Sequence, residues 1–171
     1  MLTVKTASRD TLEAGLTIIE LLIVIAIIGI LASLSFSIVS AYRYAGEDAE
    51  RTSDVESIAR AFEISYLRDA SAAGASYPNT VRATDVAHYD SLFQGQSLDS
   101  TKAPETANTT SIVAATTNTQ PQSPALDQYL YLPLTATGAL CSGTEPCVKF
   151  ILYYRLEDNG SLKTVESIRQ Q

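Results

Sequence analysis

A single acidic residue stands at the head of the most apolar stretch of this chain. Glu20 lies five residues after Gly15, and the 22 residues from Leu21 to Tyr42 carry no charge. As a helix this uncharged segment would be about 33 Å long, which is enough to cross a hydrocarbon core. A carboxylate at one end of such a segment costs roughly 3 kcal/mol or more in lipid, so it needs a partner. The natural candidate is a positive charge from another molecule.

The residues around this glutamate resemble the N-terminal segment of type IV pilins and the related pseudopilins. Four residues match the family pattern in place: Gly15, Thr17, Glu20 and Gly29. Leu16 stands where the family usually has phenylalanine, and Ile18 stands where it usually has leucine. The resemblance covers residues 15 to about 40, so the rest of the chain must be interpreted from its own residues.

The resemblance implies processing and assembly. In this family a prepilin peptidase cuts after the glycine and methylates the new amine, which implies cleavage between Gly15 and Leu16 and N-methylation of Leu16. It also implies that Glu20 pairs with the N-terminal amine of a neighbouring subunit. The implied function is a structural subunit of a type IV pilus-like extracellular filament, serving adhesion, twitching motility or DNA uptake.

The same resemblance implies partners and a location. The chain would polymerise with copies of itself and with minor pilins, through the pilus assembly machinery. Before assembly it would be a single-pass protein of the inner or cytoplasmic membrane with a cytoplasmic N-terminus, and afterwards part of a filament at the cell surface. The net charge of −7 gives no indication of a specific nucleic-acid partner.

Three segments are predicted from composition. Residues 1–15 are interpreted as a leader, in which Lys5 and Arg9 favour the cytoplasmic side. Residues 16–42 are the transmembrane and assembly helix, and residues 43–171 form a globular head. An ordinary signal peptide would have an apolar region of only 7–15 residues, and an uncleaved membrane anchor is a further alternative.

The helical pattern continues into the head. Apolar residues recur at spacings of three and four, as on one face of an amphipathic helix: Val55, Ile58, Ala59, Phe62 and Tyr66. We expect helix over residues 43–71, capped by Gly74. Residues 75–125 are predicted to be a variable loop with one short helix over Val81–Phe93 and a polar surface segment over residues 97–124. Ile112 and Val113 would pin that segment or form a short strand.

The last third predicts a β-sheet over residues 127–169. Strands are expected at Gln128–Leu134, Cys147–Asp158 and Leu162–Ile168, with Asn159-Gly160 as a hairpin turn. A three-residue loop would place Glu157 opposite Lys163, and a two-residue loop would place Leu156 there. The predicted fold is α+β and pilin-like: a long N-terminal α-helix, membrane-spanning in its first half, packed against a C-terminal antiparallel β-sheet of three or four strands.

Side chains with possible chemistry are few. Cys141 and Cys147 fit an exported domain with one disulfide. Two cysteines with one remote histidine, His88, make a poor zinc set, and no catalytic or cofactor-binding constellation stands out. Residues 157–159 carry oxygen ligands suited to calcium but without a recognisable ligand spacing, so ordinary turn chemistry is the preferred interpretation.

Three alternatives to a pilus subunit stay open. A pseudopilin of a type II secretion or competence machine would use the same N-terminal segment in a short filament. A monomeric membrane-anchored binding domain would not be cut after Gly15. An anchored enzyme is disfavoured by the lack of a catalytic constellation.

Overall fold

Helix α1 runs from Ile18 to Asp69 and contributes to both compact units of the chain, Met1–Ser40 and Ala41–Gln171. The computed structural model describes residues 17–69, 75–93 and 98–169, except for the side chains of residues 34–38, 41, 67–69 and 90. The predicted leader and Gly74 therefore lie outside the described residues.

In the first unit, α1 carries only apolar residues and one glycine from Leu21 to Ala32. Within the residues that the structure describes, no helix is both long enough and apolar enough to cross a membrane. The predictions of a membrane-spanning first half and of a single-pass membrane protein are therefore contradicted.

In the second unit, the predicted apolar stripe of α1 is the helix side of the core. Val55, Ile58 and Phe62 are fully buried. The Phe62 ring lies 4.6 Å from that of Tyr131 and 5.7 Å from that of Phe150, centroid to centroid. Both partners lie on the sheet, so the predicted packing of this stripe against strands is confirmed.

The sheet has four strands in the order β1-β2-β3-β4: Ile112–Ala114, Tyr129–Leu134, Lys149–Arg155 and Leu162–Glu166. The last two pairings are antiparallel, but β1 and β2 are parallel. The α+β class is confirmed and the wholly antiparallel sheet is wrong. The 14 residues between β1 and β2 explain the difference, because a connection of a dozen or more residues lets the chain return and run parallel.

The β3–β4 hairpin differs from both predicted registers. Arg155 pairs with Leu162, and the Leu156 N–H donates to the Ser161 carbonyl at 3.0 Å. The hairpin loop is therefore the four residues Glu157 to Gly160. Gly160 has a φ of 65°, which glycine adopts without steric cost.

The segment between α1 and β2 is more ordered than predicted. In place of one helix over Val81–Phe93 there are three short elements: α2 at Thr80–Thr84, a 3₁₀ helix at Val86–His88 and α3 at Tyr89–Leu92. Asp85 interrupts the helical path with an extended backbone and accepts a hydrogen bond from the Ala87 N–H at 3.0 Å.

The polar stretch after residue 97 is not simply a surface loop. It contains a 3₁₀ helix at Leu98–Thr101 and strand β1, and Thr101, Ser111 and Ile112 are buried. The Ser111 N–H donates to the Thr101 carbonyl at 2.6 Å, and the Ser111 hydroxyl accepts from the Ala103 N–H at 2.7 Å. These hydrogen bonds take the place of hydrogen bonds to water, so this segment is buried in part despite its polar composition.

Candidate functional site

The start of α1 is a helix cap built from two polar residues. Both the backbone N–H and the hydroxyl of Thr17 donate to Glu20 Oε2 at 2.8 Å, and the Glu20 N–H donates to Thr17 Oγ1 at 3.3 Å. This reciprocal arrangement is a capping box. The backbone hydrogen bond from Thr17, followed by its hydroxyl, lowers the pKa of Glu20, so this exposed carboxylate is ionised at neutral pH. Gly15 and Leu16, the predicted processing site, lie outside the described residues.

Beyond the cap, α1 presents an uncovered apolar surface. The large apolar side chains of this stretch are 48% to 81% exposed. They are Ile18, Ile19, Leu21, Leu22, Ile23, Val24, Ile25, Ile27, Ile28, Ile30 and Leu31. Helices that are apolar all round are normally buried, and contiguous exposed apolar surface marks a site of association. The first unit therefore combines a negative charge at its head with a surface that needs covering.

A charged cluster lies where α1 meets the hairpin loop. Arg51 is 4% exposed; its Nη1 lies 3.1 Å from Asp48 Oδ1 and its Nη2 lies 3.0 Å from Glu157 Oε2. Arg43, which is exposed, pairs with Glu47 at 2.9 Å and also with Glu105. The Glu157 carboxylate considered for calcium is thus already paired with a guanidinium. The described residues contain no group of three or more His, Cys, Asp or Glu able to hold a metal ion.

The sequence analysis missed three carboxylates of α1 that bind parts of the β region: Asp48, Asp54 and Glu63. The Glu63 carboxylate accepts hydrogen bonds from the Tyr77 hydroxyl at 2.9 Å and from the Ile168 N–H at 2.8 Å. The Asp54 carboxylate accepts a hydrogen bond from the Tyr129 hydroxyl at 2.9 Å. A signal was present, since Asp54 and Glu63 directly adjoin stripe residues in the sequence. Acids that flank a core-facing stripe can reach a neighbouring element without entering the apolar core.

Cys141 and Cys147 form a disulfide with a Cα–Cα distance of 5.7 Å. Both ends of its loop are held by one segment, the start of α2 and the residues just before it. The Tyr77 N–H donates to the Cys147 carbonyl at 2.8 Å, and the N–H of Thr80, the first residue of α2, donates to the Cys141 carbonyl at 3.1 Å. An open groove of about 470 Å³ lies between that segment and the disulfide loop.

The single histidine is part of a surface ion pair. His88 Nδ1 lies 2.8 Å from Asp85 Oδ2, and both side chains are exposed. The Ala87 backbone N–H, and then His88, lower the pKa of Asp85. This pair is explained by the capping of the short helix by Asp85, and it does not by itself form a catalytic or metal-binding site.

No protein-family model, curated protein or solved structure matches this chain.

Proposed function

We propose that this chain is the structural subunit of a type IV pilus-like filament, in which α1 of each copy packs against α1 of other copies. The observation that carries the proposal is the apolar surface of Ile18 to Leu31, exposed on every side of the helix. Copies of the same helix cover such a surface with matching chemistry. A head-to-tail contact between copies that does not close on itself produces an open filament.

Glu20 gives this assembly its register. Both described hydrogen bonds to its carboxylate fall on Oε2. We propose that the carboxylate also receives the N-terminal amine that prepilin peptidase exposes at Leu16 of a neighbouring copy. A carboxylate and an amine buried separately are each costly, whereas a well-formed pair away from water offsets that cost. Apolar packing alone would permit sliding, and one charge pair fixes one stagger.

Two substitutions separate the charge of Glu20 from its capping role. Glu20→Ala removes both the cap and the charge, whereas Glu20→Gln keeps a capping-box residue and removes only the charge. We expect both variants to lower filament yield at matched subunit abundance by about tenfold or more, since roughly 1.4 kcal/mol per contact already corresponds to a factor of ten. Glu56→Gln, an exposed acid in the second unit, is the matched control and should assemble normally.

Wild-type filament yield from Glu20→Gln would overturn the pairing role and leave capping as the function of Glu20. The broader proposal is tested by imaging filaments and identifying their subunits by mass spectrometry. Filaments that lack this chain in cells that produce it would contradict the proposal. Long filaments would favour a pilus subunit over a pseudopilin.

A further inference from the structure

The three carboxylates with which α1 binds the β region are not equally well partnered. Asp48 accepts hydrogen bonds from two backbone N–H groups and from the Arg51 guanidinium. Glu63 accepts hydrogen bonds from a tyrosine hydroxyl and from a backbone N–H. Asp54 accepts one described hydrogen bond, from the Tyr129 hydroxyl at 2.9 Å, although it is only 9% exposed and Tyr129 is fully buried. One neutral donor is little compensation for burying a full charge.

The charged surroundings of Asp54 are also unfavourable to its ionised form. Glu50 from α1 and Asp99 from the 3₁₀ helix at Leu98–Thr101 both add negative charge. Arg51 is already paired with Glu47, Asp48 and Glu157. Burial raises the pKa of Asp54 to about 6, and the negative charges of these two acids act in the same direction. The hydrogen bond from Tyr129 lowers the pKa but does not cancel these effects.

We propose that the contact between Asp54 and Tyr129 is a pH-sensitive latch that holds β2 most tightly on α1 in mild acid. In the protonated state the buried carboxyl is neutral and keeps its hydrogen bond with Tyr129. In the ionised state the same position holds a charge with one neutral donor and two acidic neighbours. Strand β1 is coupled to the latch, because the Tyr129 N–H donates to the Ser111 carbonyl at 2.8 Å.

The direction of the pH effect follows from linkage. The pKa of Asp54 is higher in the folded state than its ordinary value of about 3.9. The latch therefore contributes its full stability below that ordinary value and loses it as the pH rises through about 6. Carboxylates whose pKa is lowered by folding lose stability as the pH falls. An increase in stability as the pH falls from neutral to 5 therefore distinguishes Asp54 from them.

Thermal unfolding of the full-length chain, dispersed in a non-ionic detergent, tests the latch. We expect the wild-type Tm to be about 4 °C or more higher at pH 5 than at pH 7.5. Asp54→Asn keeps the shape and an acceptor for Tyr129 without the charge, so it should show a flat profile and a higher Tm than wild type at pH 7.5. Glu56→Gln should retain the wild-type profile. An unchanged pH dependence in Asp54→Asn would overturn the proposal.

Two further variants exclude other causes. His88→Gln removes the single histidine of the chain, and it should leave the pH profile in place. Tyr129→Phe removes the donor on which the ionised carboxylate depends, so its loss of Tm should be larger at pH 7.5 than at pH 5. Equal losses at the two pH values, or a profile abolished by His88→Gln, would contradict the latch.

Discussion

Asp48 Oδ1 accepts a hydrogen bond from the backbone N–H of Glu157 at 2.7 Å, across a sequence separation of 109 residues. Its other oxygen accepts from the Asp158 N–H at 3.1 Å, and Arg51 lies against both Asp48 and Glu157. The loop of the C-terminal hairpin is therefore held by one side chain of α1, close to the point where the second unit begins.

Asp48→Ala should destabilise the second unit by about 2–4 kcal/mol. The substitution leaves two backbone N–H groups without their acceptor and removes one carboxylate from the buried Arg51, and both losses are costly. Urea unfolding of the full-length chain gives the free energy of unfolding, with Glu56→Ala as an exposed acidic control expected within about 0.5 kcal/mol of wild type. If Asp48→Ala lowers the free energy of unfolding by no more than the Glu56→Ala control does, Asp48 does not anchor the loop.

Acid should weaken the charged cluster around Glu47. Ion pairs with the guanidinium groups of Arg43 and Arg51 lower the pKa of Glu47 against the effect of burial. A pKa lowered by folding gives stability that is present above the ordinary value of about 4.3 and lost as the pH falls through the folded-state value. Glu47→Gln should cost about 1 kcal/mol at pH 7.

Melting curves from pH 7 to pH 2 check this prediction. The difference in Tm between wild type and Glu47→Gln should shrink towards zero in strong acid, where both side chains are neutral. A difference that stays constant down to pH 2 would mean that the charge of Glu47 does not contribute.

Reduction of Cys141–Cys147 should loosen its loop without unfolding the core. Closing such a short loop contributes roughly 2 kcal/mol by chain entropy, and both ends of the loop keep their backbone hydrogen bonds to Tyr77 and Thr80. Alkylation mapping gives the redox state, and melts with and without reductant give the stability difference. Complete unfolding at room temperature on reduction would refute the prediction.

A chain that begins at Arg43 should fold without the first unit. It keeps the Val55-to-Tyr66 stripe, the Asp48 anchor and every strand, while it omits the exposed apolar surface of Ile18 to Leu31. Circular dichroism and a cooperative melt comparable to that of the full-length chain are the expected results. A molten or aggregated product would show that the head depends on residues before Arg43.

The mature chain should begin at N-methylated Leu16. The motivation is the five-residue spacing from Gly15 to Glu20 at the head of the apolar run. Mass spectrometry of the N-terminal peptide from assembled material measures both cleavage and methylation. Gly15→Val should block cleavage by crowding the peptidase, whereas Ala14→Val is a control outside the scissile pair. An intact leader in assembled wild-type material would rule out processing here.

The sequence predicted those features whose signals lie within a few residues of one another. The helical spacing of Val55 to Tyr66 identified the face of α1 that packs on the sheet, and runs of aromatic and apolar residues identified β2 and β3. The cysteine count predicted the disulfide that the structure contains. Glu20 stood out because a charge beside an apolar run is a local anomaly, but the capping box with Thr17 became visible only in the structure.

The tertiary structure alone decided how these elements are arranged. The turn signal at Asn159-Gly160 located the hairpin but not its register, because the loop is held by Asp48 from 109 residues away. The polar composition around Ser111 suggested a solvated loop, yet hydrogen bonds with Thr101 and Tyr129 made burial favourable, and β1 pairs parallel with β2. Local propensity depends on neighbours in the chain, whereas register, strand order and the partnering of a buried carboxylate such as Asp54 depend on groups that meet only after the chain has folded.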